Sequence, residues 1–467
     1  MPAGGGLLQL VAQGKQDVFL SGNPQISFFK MVYRRHTNFA IESQPMYFDG
    51  TPNFGQRITC LVPRRGDLLG RVYLNITLPP IYMPDASNTP VSYCNSVGHA
   101  LIREITVEVG EQEIDRQTGE WMEIWTDVST PASQREALDQ MIGRQKTYTP
   151  PNIYPSTNGL QLQIPLQFWF CRNPGVYLPL LALQYHPIRI NITLNPLQSL
   201  FWSPDISGTS GNCTTTVQPA QLANVMLWGD YVYLDTEERR RFVANTQEYL
   251  IEQVQYSPPY TATTNQTTAT IPIEFNHPIK EFLFVAQREI MQARHEYFNY
   301  SNLGLADSYD ISFVNGIGTW PGTLPTILPP PISTPYNPRI DLIASAVLQL
   351  DGYDRFQMRD APYFRLTQMY EHHTATPTEV TPVTNKQDLV QPLFIYNYSL
   401  ALKPEDAQPT GSMNASRIDS IVWQIYMNQI LNQSDTVNRG NVRITIYATN
   451  YNIFRIIDGF GGLLFTV

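Results

Sequence analysis

The stretch Leu160-Gln-Leu-Gln-Ile-Pro-Leu-Gln-Phe168 alternates apolar and polar side chains without interruption. Successive side chains of a β-strand point to opposite faces, so this pattern predicts a strand with one buried and one solvated face. Half-buried strands are typical of antiparallel sheets. The same alternation recurs at residues 72–78, 105–109, 188–194, 271–275, 394–400, 421–427 and 442–446. So many short strands, separated by turn-forming residues, predict an all-β protein made of sandwiches or barrels.

Helical patterns are few and lie between the predicted strands. A 3.6-residue spacing places four apolar residues on one helix face: Trp121, Met122, Trp125 and Val128. Ser133 and Glu136 have the spacing of a capping box, and Gly143 is positioned to end the helix that follows. We interpret these helices as packed on the sheets rather than as parts of a ligand site.

Near the middle of the 467-residue chain the segment Asp235-Thr-Glu-Glu-Arg-Arg-Arg-Phe predicts a short connecting helix. Asp235 and Glu238 have N-cap and N3 spacing, and acids precede bases as the helix dipole favours. The triple arginine (239–241) is an anion-site candidate, but the neighbouring acids favour a solvated or interface-facing turn.

The two halves of the chain resemble each other at one constant offset of 242 residues. Gly110 corresponds to Gly352, and two aromatic or apolar pairs follow at the same offset, Ile114 with Phe356 and Trp121 with Tyr363. The offset indicates two similar β-domains in tandem.

Composition excludes several classes of protein. Charged residues make up 15% of the chain, against roughly 25% in ordinary globular proteins. With 31 basic and 40 acidic residues the net charge is −9, which argues against nucleic-acid binding. Neither a signal peptide nor a run long enough to span a membrane is evident, so we expect a soluble, unprocessed, cytosolically made protein. The four cysteines are expected to be buried thiols: Cys60, Cys94, Cys171 and Cys213.

Catalytic and metal-binding patterns are weak. No H-x-H pair occurs; His372 and His373 with Glu371 form a nominal metal candidate, and a polar loop is the favoured interpretation. Two carboxylate pairs have glycosidase-like composition, but solvated positions are favoured for both: Glu111 with Glu113, and Glu120 with Glu123. We therefore predict no catalytic residues, no metal and no cofactor. Asn212 and Asn265 are the least implausible glycosylation acceptors, and the N-terminus does not support a secretory route.

Four blocks of the chain form a recognisable set. The first, residues 8–40, contains Asn23-Pro-Gln-Ile-Ser-Phe-Phe and Tyr33-Arg-Arg-His. The second is Arg64-Arg-Gly-Asp-Leu, and the third is Tyr231-Val-Tyr-Leu-Asp-Thr-Glu-Glu-Arg-Arg-Arg-Phe. The fourth joins residues 404–419 with Asn452-Ile-Phe-Arg-Ile-Ile-Asp-Gly-Phe-Gly-Gly-Leu. The positions that carry the pattern are Asn23, Pro24, Phe28, Phe29, Tyr33, Arg34, Arg35, Gly66, Asp67, Asp235, Glu238, Arg239, Arg240, Arg241, Arg417, Asp419 and Gly461.

These blocks resemble the major capsid proteins of large icosahedral nucleocytoplasmic DNA viruses, and the length and opening look most like the marseillevirus branch. The resemblance implies two tandem eight-stranded antiparallel jelly rolls, a double jelly roll with a few short helices. It divides the chain into an N-terminal arm (1–24), a first jelly roll (25–234), a connecting helix (235–246) and a second jelly roll with a C-terminal tail (247–467).

The resemblance also implies a homotrimer that forms a pseudo-hexagonal capsomer and contacts neighbouring capsomers. Residues 1–22 would lie beneath it, towards minor capsid proteins and an inner viral membrane, with no transmembrane segment and no nucleic acid bound. Such a protein belongs to the virion and is assembled in the host cytoplasm. The alternative from another class is a two-jelly-roll carbohydrate-binding protein or glycoside hydrolase.

Overall fold

The computed structural model describes residues 4–81, 92–144, 159–202, 220–263, 266–293, 295–301, 341–381, 389–428 and 441–466. The chain divides into two compact units, Met1–Phe39 and Ala40–Val467. The first unit contains helices α1 (Gly5–Val11) and α2 (Val18–Ser21), neither of which has a buried residue. The second unit contains nearly all of the β-structure.

Among the described residues, ten strands make up the first half of the β-structure. They are β1 (Phe39–Met46), β2 (Arg57–Leu61), β3 (Leu68–Leu78), β4 (Ser92–Tyr93), β5 (Ile102–Val109), β6 (Gln112–Thr118), β7 (Leu160–Pro165), β8 (Ile188–Leu194), β9 (Phe201–Trp202) and β10 (Ala223–Leu234). Two four-stranded sheets have the orders β1-β10-β3-β7 and β2-β8-β5-β6, and β4 pairs with β9 separately. This is the strand order of a jelly roll, here called the first roll.

The second half repeats this topology, with fourteen strands in the part of it that the structure describes. They are β11 (Gln247–Tyr256), β12 (Tyr260–Ala262), β13 (Thr268–Ile273), β14 (Pro278–Arg288), β15 (Ile343–Leu350), β16 (Tyr353–Asp354), β17 (Arg359–Asp360), β18 (Thr378–Thr381), β19 (Leu389–Pro392), β20 (Ile395–Ser399), β21 (Met413–Asn414), β22 (Ile421–Met427), β23 (Val442–Ile457) and β24 (Phe460–Leu463). The sheets β11-β23-β14-β20 and β13-β22-β15-β16 form the second roll, and the predicted double jelly roll is confirmed.

Short helices connect the strands. In the second unit they are α3 (Val97–Leu101), α4 (Gly119–Ser129), α5 (Ala132–Ile142), α6 (Trp169–Arg172), α7 (Thr236–Ala244), α8 (Glu289–Ala293) and α9 (Gln368–His372). There are also 3₁₀ turns at Pro174–Val176, Leu197–Ser199 and Ala415–Arg417, and a π-helical turn at Tyr363–Thr367. Within the described ranges, none of the helices has the length and apolarity that a membrane crossing requires.

Of two helix starts predicted from the sequence, one is confirmed and the other is wrong. Asp235 caps α7 as predicted, because its carboxylate accepts a hydrogen bond from the Thr236 amide at 2.7 Å. The capping box at Ser133 is wrong. Pro131 occupies the cap position of α5, so Ser133 already lies inside the first turn, where no side-chain cap forms. Gly143 ends this helix as predicted, with a φ of 74°.

The 242-residue offset identifies equivalent elements in the two rolls, but the hairpin turns themselves align at one residue less, because Gly110 begins the first turn whereas Gly352 ends the second. Gly110-Glu111 and Asp351-Gly352 are the two-residue turns after β5 and β15, and all four residues have positive φ. That conformation belongs to a type I′ turn, which suits the twist of a hairpin. Trp121 and Tyr363 are each the third residue of the helical segments that follow these hairpins, which begin at Gly119 and Ala361.

The hydrophobic residues form two large cores, and each core includes side chains from the other roll. Ile251, Phe454 and Ile456 of the second roll belong to the core of the first. Four α4 residues from the first roll belong to the core of the second: Trp121, Ile124, Trp125 and Val128. The thiols of Cys60, Cys94 and Cys171 are free and buried as predicted, and Cys213 lies outside the described residues.

Candidate assembly surfaces and the seam between the rolls

Helix α4 crosses from one roll into the other and defines the seam, the contact of α4, α6 and β6 of the first roll with β11 and β23 of the second. Its apolar spacing predicts a packed helix, as observed, but the surface that it covers belongs to the other roll. Trp121 and Trp125 are nearly inaccessible to solvent, and the Trp121 ring lies 5.4 Å from that of Tyr447. Met122 faces the first core. Burying these two indoles therefore ties the two rolls together.

Polar contacts frame this apolar centre. The Asp115 carboxylate accepts a hydrogen bond from the Val254 amide at 3.1 Å, and burial raises the pKa of Asp115 to about 6. Arg172 donates to Glu252 at 2.9 Å and lies 4.1 Å above the Trp125 ring. The Asp115 contact pairs one backbone amide at the edge of β11, and the Arg172 contact adds a side-chain ion pair between the rolls.

The two predicted carboxylate pairs behave differently. Glu111 and Glu113 are exposed, as predicted, and Glu113 pairs with Arg116 at 2.8 Å. Solvation was the wrong prediction for Glu120 and Glu123. Glu120 is half-buried at the seam, where it accepts a hydrogen bond from Tyr447 Oη at 2.8 Å.

Glu123 is buried within the first roll, in a cluster of charged side chains. Burial alone would raise the pKa of its carboxyl, but Arg144, together with hydrogen bonds from His99 and Ser96, lowers that pKa to about 2. Arg144 also donates to Asp127 at 2.6 Å. The cluster holds α3, α4 and the end of α5 together.

A second buried cluster corrects the prediction for His372 and His373, which are not in a polar loop. His372 ends α9, and the side chain of His373 is completely buried. Its Nδ1 donates to Glu405 at 2.9 Å, and its Nε2 lies 3.1 Å from a Glu281 oxygen. Glu405 also accepts from the Thr374 amide at 3.0 Å. Among the described residues, no group of three or more His, Cys, Asp or Glu has the arrangement of a metal site.

This cluster predicts that the stability of the protein depends on pH. Burial by itself would lower the pKa of His373, but the hydrogen bonds and charges of Glu281 and Glu405 raise it to about 9 from an ordinary 6.5. Because the folded-state pKa is the higher one, the stabilisation is complete below pH 6.5 and is lost as the pH rises through 9. We expect urea titrations to show a decrease of roughly 3 kcal/mol in the free energy of unfolding across this interval.

The control for this prediction is a pair of substitutions. His373→Gln should remove most of the pH dependence between 6.5 and 9, whereas His36→Gln, at an exposed position, should leave it intact. An equal slope in the wild type and His373→Gln would mean that other groups cause it.

The second and third sequence blocks meet beside β10. Asp67, nearly buried, accepts hydrogen bonds at 2.8 Å from both the Leu234 amide and Arg239 Nε. A Cβ at Gly66 would lie 2.9 Å from Cβ of Tyr231, so glycine permits this close approach. The carboxylate of Asp67 thus fixes the start of α7 against the first roll.

The other two arginines of that helix face solvent. Arg240 pairs loosely with Glu237 at 3.5 Å, and Arg241 is exposed, as the prediction of a solvated turn requires. Arg417 and Asp419 are exposed as well. In the first unit the described residues Asn23, Pro24, Phe28, Phe29, Tyr33, Arg34 and Arg35 are all exposed. Asn212 and Asn265, the glycosylation candidates, lie outside the described residues.

The C-terminal hairpin of the second roll binds the first roll at Gly461. Its carbonyl lies 2.8 Å from Nδ1 of His186, and the Phe460 ring stacks on Tyr185 at 5.0 Å. A Cβ at position 461 would come within 2.4 Å of the buried Leu183 side chain. No local pattern in the sequence marks His186 or Tyr185 as contact residues, because both lie in an irregular loop.

Gly461→Val is expected to destabilise the protein by about 1–3 kcal/mol, because the added atoms overpack the contact with Leu183 and Phe454. Chemical denaturation measures this loss. Gly462→Ala is the matched control, since its Cβ would approach only the flexible amide end of Gln112, at 3.0 Å. Equal stability of the two variants would contradict the tight packing at position 461.

Comparisons with known proteins cover nearly the whole chain. A family model described as the major capsid protein N-terminus matches residues 27–235, and one described as large eukaryotic DNA virus major capsid protein matches residues 238–462. The chain is 37% identical to the major capsid protein of Pyramimonas orientalis virus, over 99% of this chain and 100% of the relative. It is 32% identical to that of Paramecium bursaria Chlorella virus 1, over 99% of each.

Solved structures agree. The fold matches a chain in a quasi-atomic model of the PBCV-1 virus capsid with a TM-score of 0.72 and 27% identity, covering 94% of this chain and 100% of that one. It matches the Faustovirus major capsid protein with a TM-score of 0.66, covering 95% and 94%. At 12% identity, this second likeness shows the fold alone.

Proposed function

Because the chain belongs to the major capsid proteins of large eukaryotic DNA viruses, we propose that it trimerises into pseudo-hexagonal capsomers that tile an icosahedral shell. Its relatives are structural proteins of virus capsids, and the chain is likewise a structural protein rather than an enzyme. The glycan-binding or glycoside hydrolase alternative is not favoured.

The observation that carries the proposal is that two rolls of the same topology pack against each other and share core residues. Trp121 and Trp125 of α4 are buried in the core of the other roll, so the two rolls pack against each other and a subunit presents two similar side faces. Three such subunits supply six similar sides, which is what a pseudo-hexagonal tile requires. The same proposal assigns separate roles to an arm (1–24), a first roll (25–234), a connecting helix (235–246) and a second roll with a C-terminal tail (247–467).

The arm is proposed to bind minor capsid proteins beneath the shell, next to an inner membrane. In the first unit many large apolar side chains are at least half exposed, among them Leu7, Leu8, Leu10, Val11, Phe19 and Leu20. Apolar surface on this scale is typical of a segment that binds a partner. Assembly in the host cytoplasm, and neighbouring capsomers as the lateral partners, belong to the same proposal.

Sedimentation velocity at micromolar concentration tests the proposed function. We expect a stable trimer that shows no binding to, or cleavage of, a panel of oligosaccharides. A monomer that binds or cleaves a glycan would contradict the capsid proposal and support the alternative. Electron microscopy of the assembled particle would then show whether the trimers occupy the pseudo-hexagonal positions.

A further inference from the structure

The two rolls share a topology but differ in how far one sheet is covered. In the second roll, every residue of β14 from Ile279 to Arg288 is buried, on both faces of its sheet. In the first roll the corresponding strand β3 alternates, because Arg71 is exposed and Tyr73, Asn75 and Thr77 are half-buried. The seam covers part of this sheet in the second roll. Among the described residues, its counterpart in the first roll keeps a partly open outer face.

The covering element shows the reverse asymmetry. At the seam, β6 of the first roll contacts β11, and five of its seven residues are half-buried or buried: Gln112, Ile114, Asp115, Gln117 and Thr118. The equivalent segment of the second roll, residues 353–360, is exposed at every position except Phe356. The helical segment that follows it exposes Leu366 and Tyr370 by 44% and 85%, at the i, i+4 spacing that Trp121 and Trp125 have in α4.

Strand register identifies the counterpart of the residue that receives Trp121. Tyr447, which contacts the Trp121 ring, pairs with Leu283, the sixth residue of β14. In the first roll, Trp228 pairs with Tyr73, the sixth residue of β3. Trp228 is half-buried and lies outside the first core, whereas its neighbours Leu227 and Gly229 are buried. An aromatic ring thus occupies the same position on both sheets, and only one of the two is covered by α4.

We propose that residues 353–370 of one copy cover Trp228 and the outer face of the β1-β10-β3-β7 sheet in the next copy, repeating the seam between chains. The inference rests on the proposed trimer and names its contact surfaces. Each subunit presents both the covering segment and the open sheet, so the contact joins two different surfaces and is heterologous. Three subunits close into a ring if the rotation from one subunit's second roll to the next subunit's first roll equals the rotation between the two rolls of one chain. The partner that covers the open face is therefore a second copy of this chain.

Two variants test the two surfaces of this contact one at a time, the covering segment and the open sheet. Leu366→Asp with Tyr370→Asp changes only side chains that are at least 44% exposed, so the fold should persist while the trimer is lost. Trp228→Asp should give the same loss from the receiving side. Leu61→Asp, at a residue 52% exposed on β2 of the other sheet, is the matched control and should remain trimeric. Circular dichroism and thermal melting verify that each variant is folded.

Mixing the two variants gives the sharpest result. The covering-segment variant retains an intact open sheet, and Trp228→Asp retains an intact covering segment, so the mixture can form one contact and no ring. We expect a 1:1 dimer in sedimentation velocity, absent from either variant alone. A folded covering-segment variant that remains trimeric, or a mixture that stays monomeric, would overturn the inference and leave the proposed trimer standing. A monomeric wild type would instead overturn the proposed function.

Discussion

Trp121→Ala is expected to destabilise the protein by about 3–5 kcal/mol, the range for removing a buried tryptophan. Its side chain is fully buried and belongs to the core of the second roll, although α4 is part of the first. The lost contacts with Tyr447 and Trp125 leave a cavity between the rolls. Urea denaturation followed by tryptophan fluorescence and circular dichroism measures the change in the free energy of unfolding.

Leu402→Ala is the control, because this side chain is 74% exposed and should change stability by less than about 0.5 kcal/mol. Calorimetry adds a second measurement. Since the rolls exchange core side chains, we expect one cooperative transition in the wild type, whereas Trp121→Ala should weaken the coupling and broaden or split it. A thermal unfolding midpoint for Trp121→Ala equal to that of the wild type would show that α4 does not couple the two rolls.

Deleting residues 1–22 is expected to abolish shell assembly while leaving the trimer intact. The described helices of this segment, α1 and α2, have no buried residue, so their removal takes nothing from either core. What is lost is the exposed apolar surface that we assign to partners beneath the shell. Sedimentation velocity measures the trimer, and electron microscopy of particles from cells expressing the viral structural proteins measures assembly.

A point-mutant version distinguishes the apolar surface of the arm from its length. Leu7→Ser, Leu8→Ser and Leu10→Ser together keep the chain intact but remove side chains that are about 70% exposed. If apolar contacts recruit partners, this variant should assemble as poorly as the deletion. Loss of the trimer in either variant would show that the arm stabilises contacts between subunits instead.

The buried histidine clusters show where sequence reasoning stops. Adjacent histidines at 372 and 373 suggest a polar loop, and glutamates at 120 and 123 suggest a solvent-exposed helix face. In the folded chain, Glu281 and Glu405, some 90 and 30 residues away in sequence, surround His373. Burial and partners are set by which distant segments meet, and neither can be derived from local spacing.

The sequence by itself determined the strands, the tandem repeat and the family. Alternation along a strand is a local property: β7 covers residues 160–165 of the stretch 160–168, and Leu162, Ile164, Leu166 and Phe168 all pack in the first core. The blocks around Gly66, Asp67 and Asp235 identify the family without any knowledge of their contacts.

Only the tertiary structure decided how the two rolls are joined. The helical spacing of Trp121 and Trp125 predicts an apolar face, but it does not indicate whether that face covers the first roll or the second roll of the chain. Which roll the helix covers depends on long-range packing, because the hydrophobic free energy gained is similar for any complementary apolar surface that buries the same area. The difference between the covered β14 and the open β3, from which the trimer contact is inferred, appears only once both rolls are folded side by side.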